Sequence, residues 1–314
     1  MSARPSTFAL TRPGPLRLYN TAELLRMPPP QWLVAPIMPV GGLVGLYGPP
    51  GVGKSFMAID MALSVASGRP WQEHETQTGL VLYVAAEGSM GLTKRVAAWL
   101  AAHAISPSRV VAAWLTVGIP VSANSDEMGI LMDRIAGELE TVPLLIVIDT
   151  LARCFDGDEN QQEDMGRFIG GVDRLRREYN STVMVVHHTR LDGERERGNT
   201  AFRGAADTMI ALDRPRHNTI KMTCNKQKDA AEFPLLNFQL QLVPDVNSCV
   251  IVPAGTDGRV AKELYILRTE GPLSWEDWRI RLGTAKATFS RDVVELAKTG
   301  QIAREFGKWR VLVP

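Results

Sequence analysis

The chain has 314 residues, 45% hydrophobic and 22% charged, with 35 Lys and Arg against 34 Asp and Glu. That composition excludes a disordered or fibrous chain and fits a globular protein of one large domain with a small one, or of two domains. A net charge of +1 gives no global field for a polyanion, so any nucleic-acid contact must be a local patch. Three widely spaced cysteines, Cys154, Cys224 and Cys249, form no C-x-x-C pair; they offer no metal site and fit a reducing cytoplasm. No apolar run approaches the roughly 18 residues of a membrane span, and no apolar leader opens the chain, so a cytoplasmic protein without a membrane partner is expected.

Residues 1–19 carry Pro5, Pro13 and Pro15 and read as an N-terminal arm. Asn20 to Met27 reads as a short helix capped by Asn20 or Thr21 and closed by Pro28-Pro29-Pro30. It could cover the core edge or, in a ring, dock on a neighbouring subunit. Residues 20–42 lead into Leu43-Val44-Gly45-Leu46-Tyr47, an apolar stretch that predicts a buried strand. Then comes Gly48-Pro49-Pro50-Gly51-Val52-Gly53-Lys54-Ser55, and after it an Ala-rich apolar run, Phe56 to Ala66, that predicts a buried helix. This is the G-x-x-x-x-G-K-[ST] phosphate loop in its strand–loop–helix setting. Its glycines turn backbone N–H groups toward a phosphate, and the helix N-terminus adds partial positive charge. Lys54 is expected on the β- and γ-phosphates and Ser55 on Mg²⁺, with the whole segment Gly48 to Phe56 as the nucleotide-binding stretch.

Further strands are predicted at 79–86, 143–149 and 181–188, with a weaker one at 110–117. Helical periodicity runs through about 90–104, 126–140 and 165–179, and 205–212 and 219–226 read as further elements. Alternating strands and helices predict an α/β core with a mostly parallel sheet flanked by helices, spanning 20–255, and ligands in such sheets sit at the carboxyl ends of the strands. Glu87, Asp149 and the pair His187-His188 all fall at such ends.

Asp149 closes four or more apolar residues, where a carboxylate can hold Mg²⁺ through water. The residue after it is Thr150 rather than the Glu usual in AAA+ ring ATPases, so the base that activates water must come from elsewhere. Glu87 is the candidate; its alternative role is a carboxylate favoured at a helix N-terminus. One histidine of the His187-His188 pair can contact the γ-phosphate, the alternative being a strand-end imidazole satisfied by backbone. A metal pair is disfavoured because neighbours in a strand point to opposite faces. His187 is expected to be the inner one.

These motifs, with Pro39-Val40-Gly41-Gly42, Tyr83-Val84-Ala85-Ala86-Glu87, Val185-Val186-His187-His188-Thr189 and Phe202-Arg203-Gly204, resemble the RepA-like branch of the RecA/DnaB superfamily over about residues 20–245. The resemblance implies a RecA-like core, ATP with Mg²⁺ as cofactors, a homo-oligomeric and hexameric ring hydrolysing ATP at its subunit interfaces, and single-stranded DNA in the channel. The family commonly has Ser-Ser after its Arg-Gly; here Ala205-Ala206 follows. Such a site takes a cation from the neighbouring subunit, and Arg203, Lys226 and Lys228 are the candidates; Lys226 to Asp229 could equally be a solvated hairpin. Arg190, Arg195 and Arg197 lie in the loop that the resemblance turns toward DNA, although Asp192, Glu194 and Glu196 nearly balance them.

Residues 261–314 form a separate unit by pattern: a helix over 261–268, a second opened by Ser274 as cap, a third over 286–299, and a two-stranded hairpin at the end. This order resembles a winged-helix domain, which implies duplex DNA or a replication protein as partner, or oligomer packing. Lys286, Thr288, Ser290 and Arg291 would face a groove. The expected function is a DNA-dependent ATPase, a ring helicase in replication of a phage, plasmid or bacterial element; the alternative is an ATP-switched DNA-binding loader, recombination mediator or regulator.

Overall fold

A computed structural model describes residues 19–86, 89–116, 119, 121, 126–139, 141–155, 157–159, 161–188, 200–216, 219–254, 263–264, 266–267, 270–298 and 302–312. The chain divides into two compact units, Met1–Ile251 and Val252–Pro314.

In the first unit, helix α1 (Thr21–Leu24) is capped by Asn20, whose side chain accepts from Glu23 N while the Glu23 carboxylate accepts from Asn20 N. None of its residues is buried. The short pair β1 (Trp32–Val34) and β2 (Met38–Pro39) leads into β3 (Leu43–Gly48), buried along its whole length. Helix α2 (Lys54–Ser67) follows, then β4 (Val81–Ala85), α3 (Ser89–His103), β5 (Ala112–Leu115), α4 (Asp126–Glu138), β6 (Leu145–Asp149), α5 (Gln162–Tyr179) and β7 (Thr182–His188). After α6 (Thr200–Ala205) come β8 (Thr208–Arg216), β9 (Thr219–Gln227), β10 (Leu236–Val243) and β11 (Ser248–Pro253).

The strands make one nine-stranded sheet in the order β11-β10-β9-β8-β3-β7-β6-β4-β5. From β8 to β5 every pairing is parallel, while β9 runs antiparallel to β8 and β10 antiparallel to β9. Strand β7 lies between the phosphate-loop strand β3 and the Asp149 strand β6. The runs Leu145–Asp149 and Thr182–His188 are apolar with almost no alternation because helices cover both faces of the sheet. One face packs under α4, α5 and α6 through Leu43, Tyr47, Leu82, Val84, Ile146, Ile148, Val183, Val185, Phe168 and Phe202. Residues of opposite parity, among them Tyr83, Asp149 and His188, therefore face α2. The strands β10 and β11 were not anticipated from sequence, although Leu236-Asn237-Phe238-Gln239-Leu240-Gln241-Leu242 alternates apolar and polar residues and Val250 and Ile251 are buried.

In the second unit, Ser274 caps the helix Trp275–Leu282 by accepting from Asp277 N, and Gly283 ends it in the left-handed conformation. The helix Lys286–Lys298 and the hairpin β12 (Ile302–Glu305) with β13 (Lys308–Val311) follow. Trp278, Phe289, Val293, Leu296 and Ile302 form its core. Of the helix expected over 261–268, residues 263–264 and 266–267 are helical, with Leu264, Ile266 and Leu267 in the core, and the other four lie outside the described residues.

Candidate nucleotide site

The phosphate loop leaves β3 at Gly48 and enters α2 at Lys54. Two glycines are dictated by this path. A Cβ on Gly48 would meet the Leu212 carbonyl oxygen of β8 at 2.3 Å, and Gly53 holds φ 112°, where an L side chain is strained. Lys54 is only 6% exposed and donates from Nζ to the carbonyl oxygens of Gly48 and Pro49, both at 2.9 Å. It also lies 3.1 Å from His188 Nδ1. An ammonium can only donate, so Nδ1 accepts and the neutral ring carries its proton on Nε2.

Strand register sets the rest of the site. Gly48 of β3 pairs with His188 of β7, and Asp149 of β6 pairs with Val186 of β7 and Ala85 of β4. Paired residues of parallel strands point to one face, so Asp149, Val186 and His188 share the α2 side and His187 the other. The expectation that His187 is the inner histidine is corrected here. His187 is 2% exposed and meets the Phe202 ring edge-on at 6.4 Å, while His188 lines the cleft. A strand buried on both faces carries no alternation from which the parity could be read.

Asp149, 2% exposed, accepts a 2.8 Å hydrogen bond from Tyr83 Oη, and the Ala86 amide donates to the Asp149 carbonyl at 2.7 Å. Burial, and then the neighbouring carboxylate, push the Tyr83 phenol well above its usual range, so Tyr83 stays a donor at any physiological pH. Burial likewise raises the Cys154 thiol to about 11. Glu87 lies outside the described residues, directly after this Ala86–Asp149 contact, as do Arg190, Arg195 and Arg197.

A cleft of about 310 Å³ is lined by Pro50, Gly51, Gly53, Lys54, Ser55, Phe56, Thr150 and His188, with Arg95 of α3 and Leu240 of β10. Arg95 and Leu240 were missed from sequence. Both come from elements far along the chain, and only Arg95 carried a signal: a cation on the helix that follows the candidate base. Its guanidinium carbon sits 5.1 Å from the centroid of the Phe56 ring, in the first turn of α2 directly after Ser55. The donor set fits Mg²⁺–nucleotide: the Ser55 hydroxyl and Asp149 carboxylate are hard oxygen ligands, and Lys54 and Arg95 supply positive charge. Among the described residues no cluster of three or more His, Cys, Asp or Glu is arranged to hold a metal by protein alone.

Arg203, Lys226 and Lys228 come together elsewhere. Arg203 donates to the Asn225 carbonyl at 3.0 Å, and Lys226 Nζ donates to the carbonyls of Arg203 at 2.7 Å and Gly204 at 2.9 Å. Lys228 lies 3.4 Å from Asp207. Burial lowers the Lys226 ammonium. Lys226 pairs with Met209, which pairs with Gly45, three residues before Gly48. The cluster thus sits about 10 Å back along the strands, toward their amino ends, away from its own phosphate loop.

Residues 15–194 match a family described as AAA domain. A crystal structure of the RadB recombinase is similar at 16% identity and a TM-score of 0.48, over 68% of this chain and 92% of that one. No helix among the described residues is long and apolar enough to cross a membrane.

Proposed function

We propose that the chain, which belongs to the AAA domain family, is a P-loop ATPase with a RecA-like core that works as a DNA-dependent ring ATPase of the RepA-like kind, acting on single-stranded DNA. The observation that carries this reading is the convergence of Lys54, Ser55, Asp149 and His188 at one end of the sheet, with the cationic cluster at the other. In the proposed cycle Lys54 leaves the Gly48 and Pro49 carbonyls for the β- and γ-phosphates. Ser55 and Asp149 are the residues that would hold Mg²⁺, which when bound would supply positive charge to the phosphates. Tyr83 fixes the Asp149 carboxylate by donating to it. Glu87 takes the proton of the attacking water. His188, bonded to Lys54 and ending β7, feels the γ-phosphate and passes its loss to the segment 189–199.

The cation that completes the site comes from a neighbouring subunit. Arg203, Lys226 and Lys228 are candidates because their place behind the sheet's amino ends keeps them from their own cleft. A trans cation of this kind contributes about 10³–10⁵ in rate. The motif order supports a hexameric ring, and the C-terminal helices and hairpin support a second contact with DNA or a replication protein.

The test is steady-state ATP hydrolysis by the full chain with and without single-stranded DNA. Strong stimulation is expected. Slow hydrolysis indifferent to single strands would replace the motor with an ATP-switched DNA-binding protein. Mixing Lys54→Ala with Arg203→Ala protein should restore turnover that neither has alone, and failure to restore it would remove Arg203 from the trans role.

A further inference from the structure

The second unit ends in a hairpin whose tip breaks two rules at once. Strands β12 and β13 pair from Ile302↔Val311 to Glu305↔Lys308, so Phe306 and Gly307 alone make the turn. Both have positive φ, 47° and 79°. A two-residue turn of this hand favours Asn-Gly or Asp-Gly, because a short polar side chain tolerates the left-handed backbone and a bulky one does not. Gly307 fits; Phe306 does not. Nor is its strain offset by burial, since the Phe306 side chain is 103% exposed. Among the described residues, the other aromatic side chains of this unit serve its core: Trp278 and Phe289 are fully buried, and Trp275 and Trp309 pack against them. A strained, fully exposed aromatic is costly to the fold, and strain of this sort is kept where it does a job.

The surroundings of Phe306 narrow that job. Arg304 and Lys308, two positions to either side, are exposed and lie on opposite faces of the hairpin, Arg304 across from Trp309 and Lys308 across from Glu305; Arg310, also exposed, holds Glu305 at 2.7 Å. An aromatic face between cations is the chemistry that binds single-stranded nucleic acid: the ring stacks on a base of any identity and the cations meet the phosphates beside it. An apolar pocket on a protein would leave both cations facing an apolar rim. Insertion into a duplex would add the cost of unstacking a base step.

We infer that Phe306 is a base-stacking residue at the tip of a hairpin that binds single-stranded nucleic acid, with Arg304 and Lys308 on the adjoining phosphates. This rests on the nucleic-acid part of the proposed function and is independent of ATP hydrolysis.

The experiment is fluorescence anisotropy of a labelled oligothymidine with the full chain, comparing wild type with Phe306→Asn, Phe306→Trp and the pair Arg304→Gln/Lys308→Gln. Phe306→Asn places the residue the turn favours, so its melting temperature should equal or exceed that of wild type while its affinity falls about tenfold. Its dependence on salt should stay that of wild type. Phe306→Trp should keep the affinity. The double charge variant should flatten the plot of log affinity against log salt by about one unit or more. Hydrolysis of ATP without DNA should be unchanged in all. Wild-type affinity in Phe306→Asn would overturn the inference, and so would a wild-type chain that binds no oligothymidine. Unchanged DNA binding with an altered oligomeric state would do the same and make the tip a protein contact. A tenfold loss in a chain whose ATPase ignores DNA would uphold the stacking residue and reject the motor.

Discussion

Two carboxylates of the first unit, Asp60 and Asp149, are each 2% exposed, yet their surroundings differ in kind. Asp60 sits on α2 and does not line the cleft: it accepts from the indole N–H of Trp71 and of Trp99, both at 2.7 Å, and from the Gln72 amide at 3.0 Å. The donors come from α3 and from the turn after α2, where Gln72 and Glu73 both hold positive φ. Asp149 instead ends a strand beside the cleft, where it accepts from the Tyr83 phenol. A buried carboxylate surrounded by neutral donors from several elements ties those elements together; one aimed off a strand end beside a phosphate loop is placed for a cation. Burial alone does not separate the two, and direction does.

The comparison breaks most visibly at the phosphate end. Lys54→Ala and Asp149→Asn should each lower ATP hydrolysis by about 10²-fold or more, because charge stabilisation at a phosphate is lost at a dry site. Neither change should much lower the melting temperature, measured on the same preparations. A variant at Asp149 that kept wild-type turnover would remove it from the metal role.

Asp60→Asn should give the opposite pattern. One of its two indole donors would face an amide N–H rather than an oxygen, and a buried polar group left unsatisfied costs about 1–3 kcal/mol. Denaturant unfolding should show that loss, while turnover per folded molecule falls far less than in Asp149→Asn. The Asp60–Trp99 bond and the Arg95–Phe56 contact are two rungs between α2 and α3, each pair one helical turn from the other. Some weakening of nucleotide affinity in Asp60→Asn would therefore be carried through Arg95.

Much of this could be read in advance. The phosphate loop, the Asp149 strand and the three-layer α/β core announce themselves through glycine spacing and long apolar runs. The helix cap at Ser274 and the hairpin at 302–311 did so through local chemistry. What escaped was whatever depends on direction or on distant partners. The inner histidine needed the register of β7 against β3; Arg95 and Leu240 reach the cleft from α3 and β10; the Asp60 cluster joins residues 60, 71, 72 and 99 with no local motif. The strand β10 did carry a local signal, the alternation from Leu236 to Leu242, and was passed over all the same.

The smallest effect should come from the histidine beside Asp60. His103 stacks on Trp99 at 4.2 Å and its Nδ1 lies 2.8 Å from the Trp99 carbonyl oxygen. Burial holds its imidazole below the usual 6.5, with Arg69 adding to the shift and Asp60 opposing it. A histidine whose folded value is depressed favours the native state when neutral. Its contribution is therefore present above about pH 6.5 and is lost as pH falls toward and through the folded value. Asp60, raised by burial, acts in the other sense: its cost is felt as pH rises from its unfolded value through its folded one, and acid relieves it. Melting temperature followed between pH 7.5 and about pH 5 should fall, and His103→Gln should flatten that slope while leaving the values near pH 7.5 close to wild type. The same slope in the variant would mean that the acid sensitivity lies elsewhere, and that the Asp60 cluster, unlike the phosphate end, is electrostatically silent.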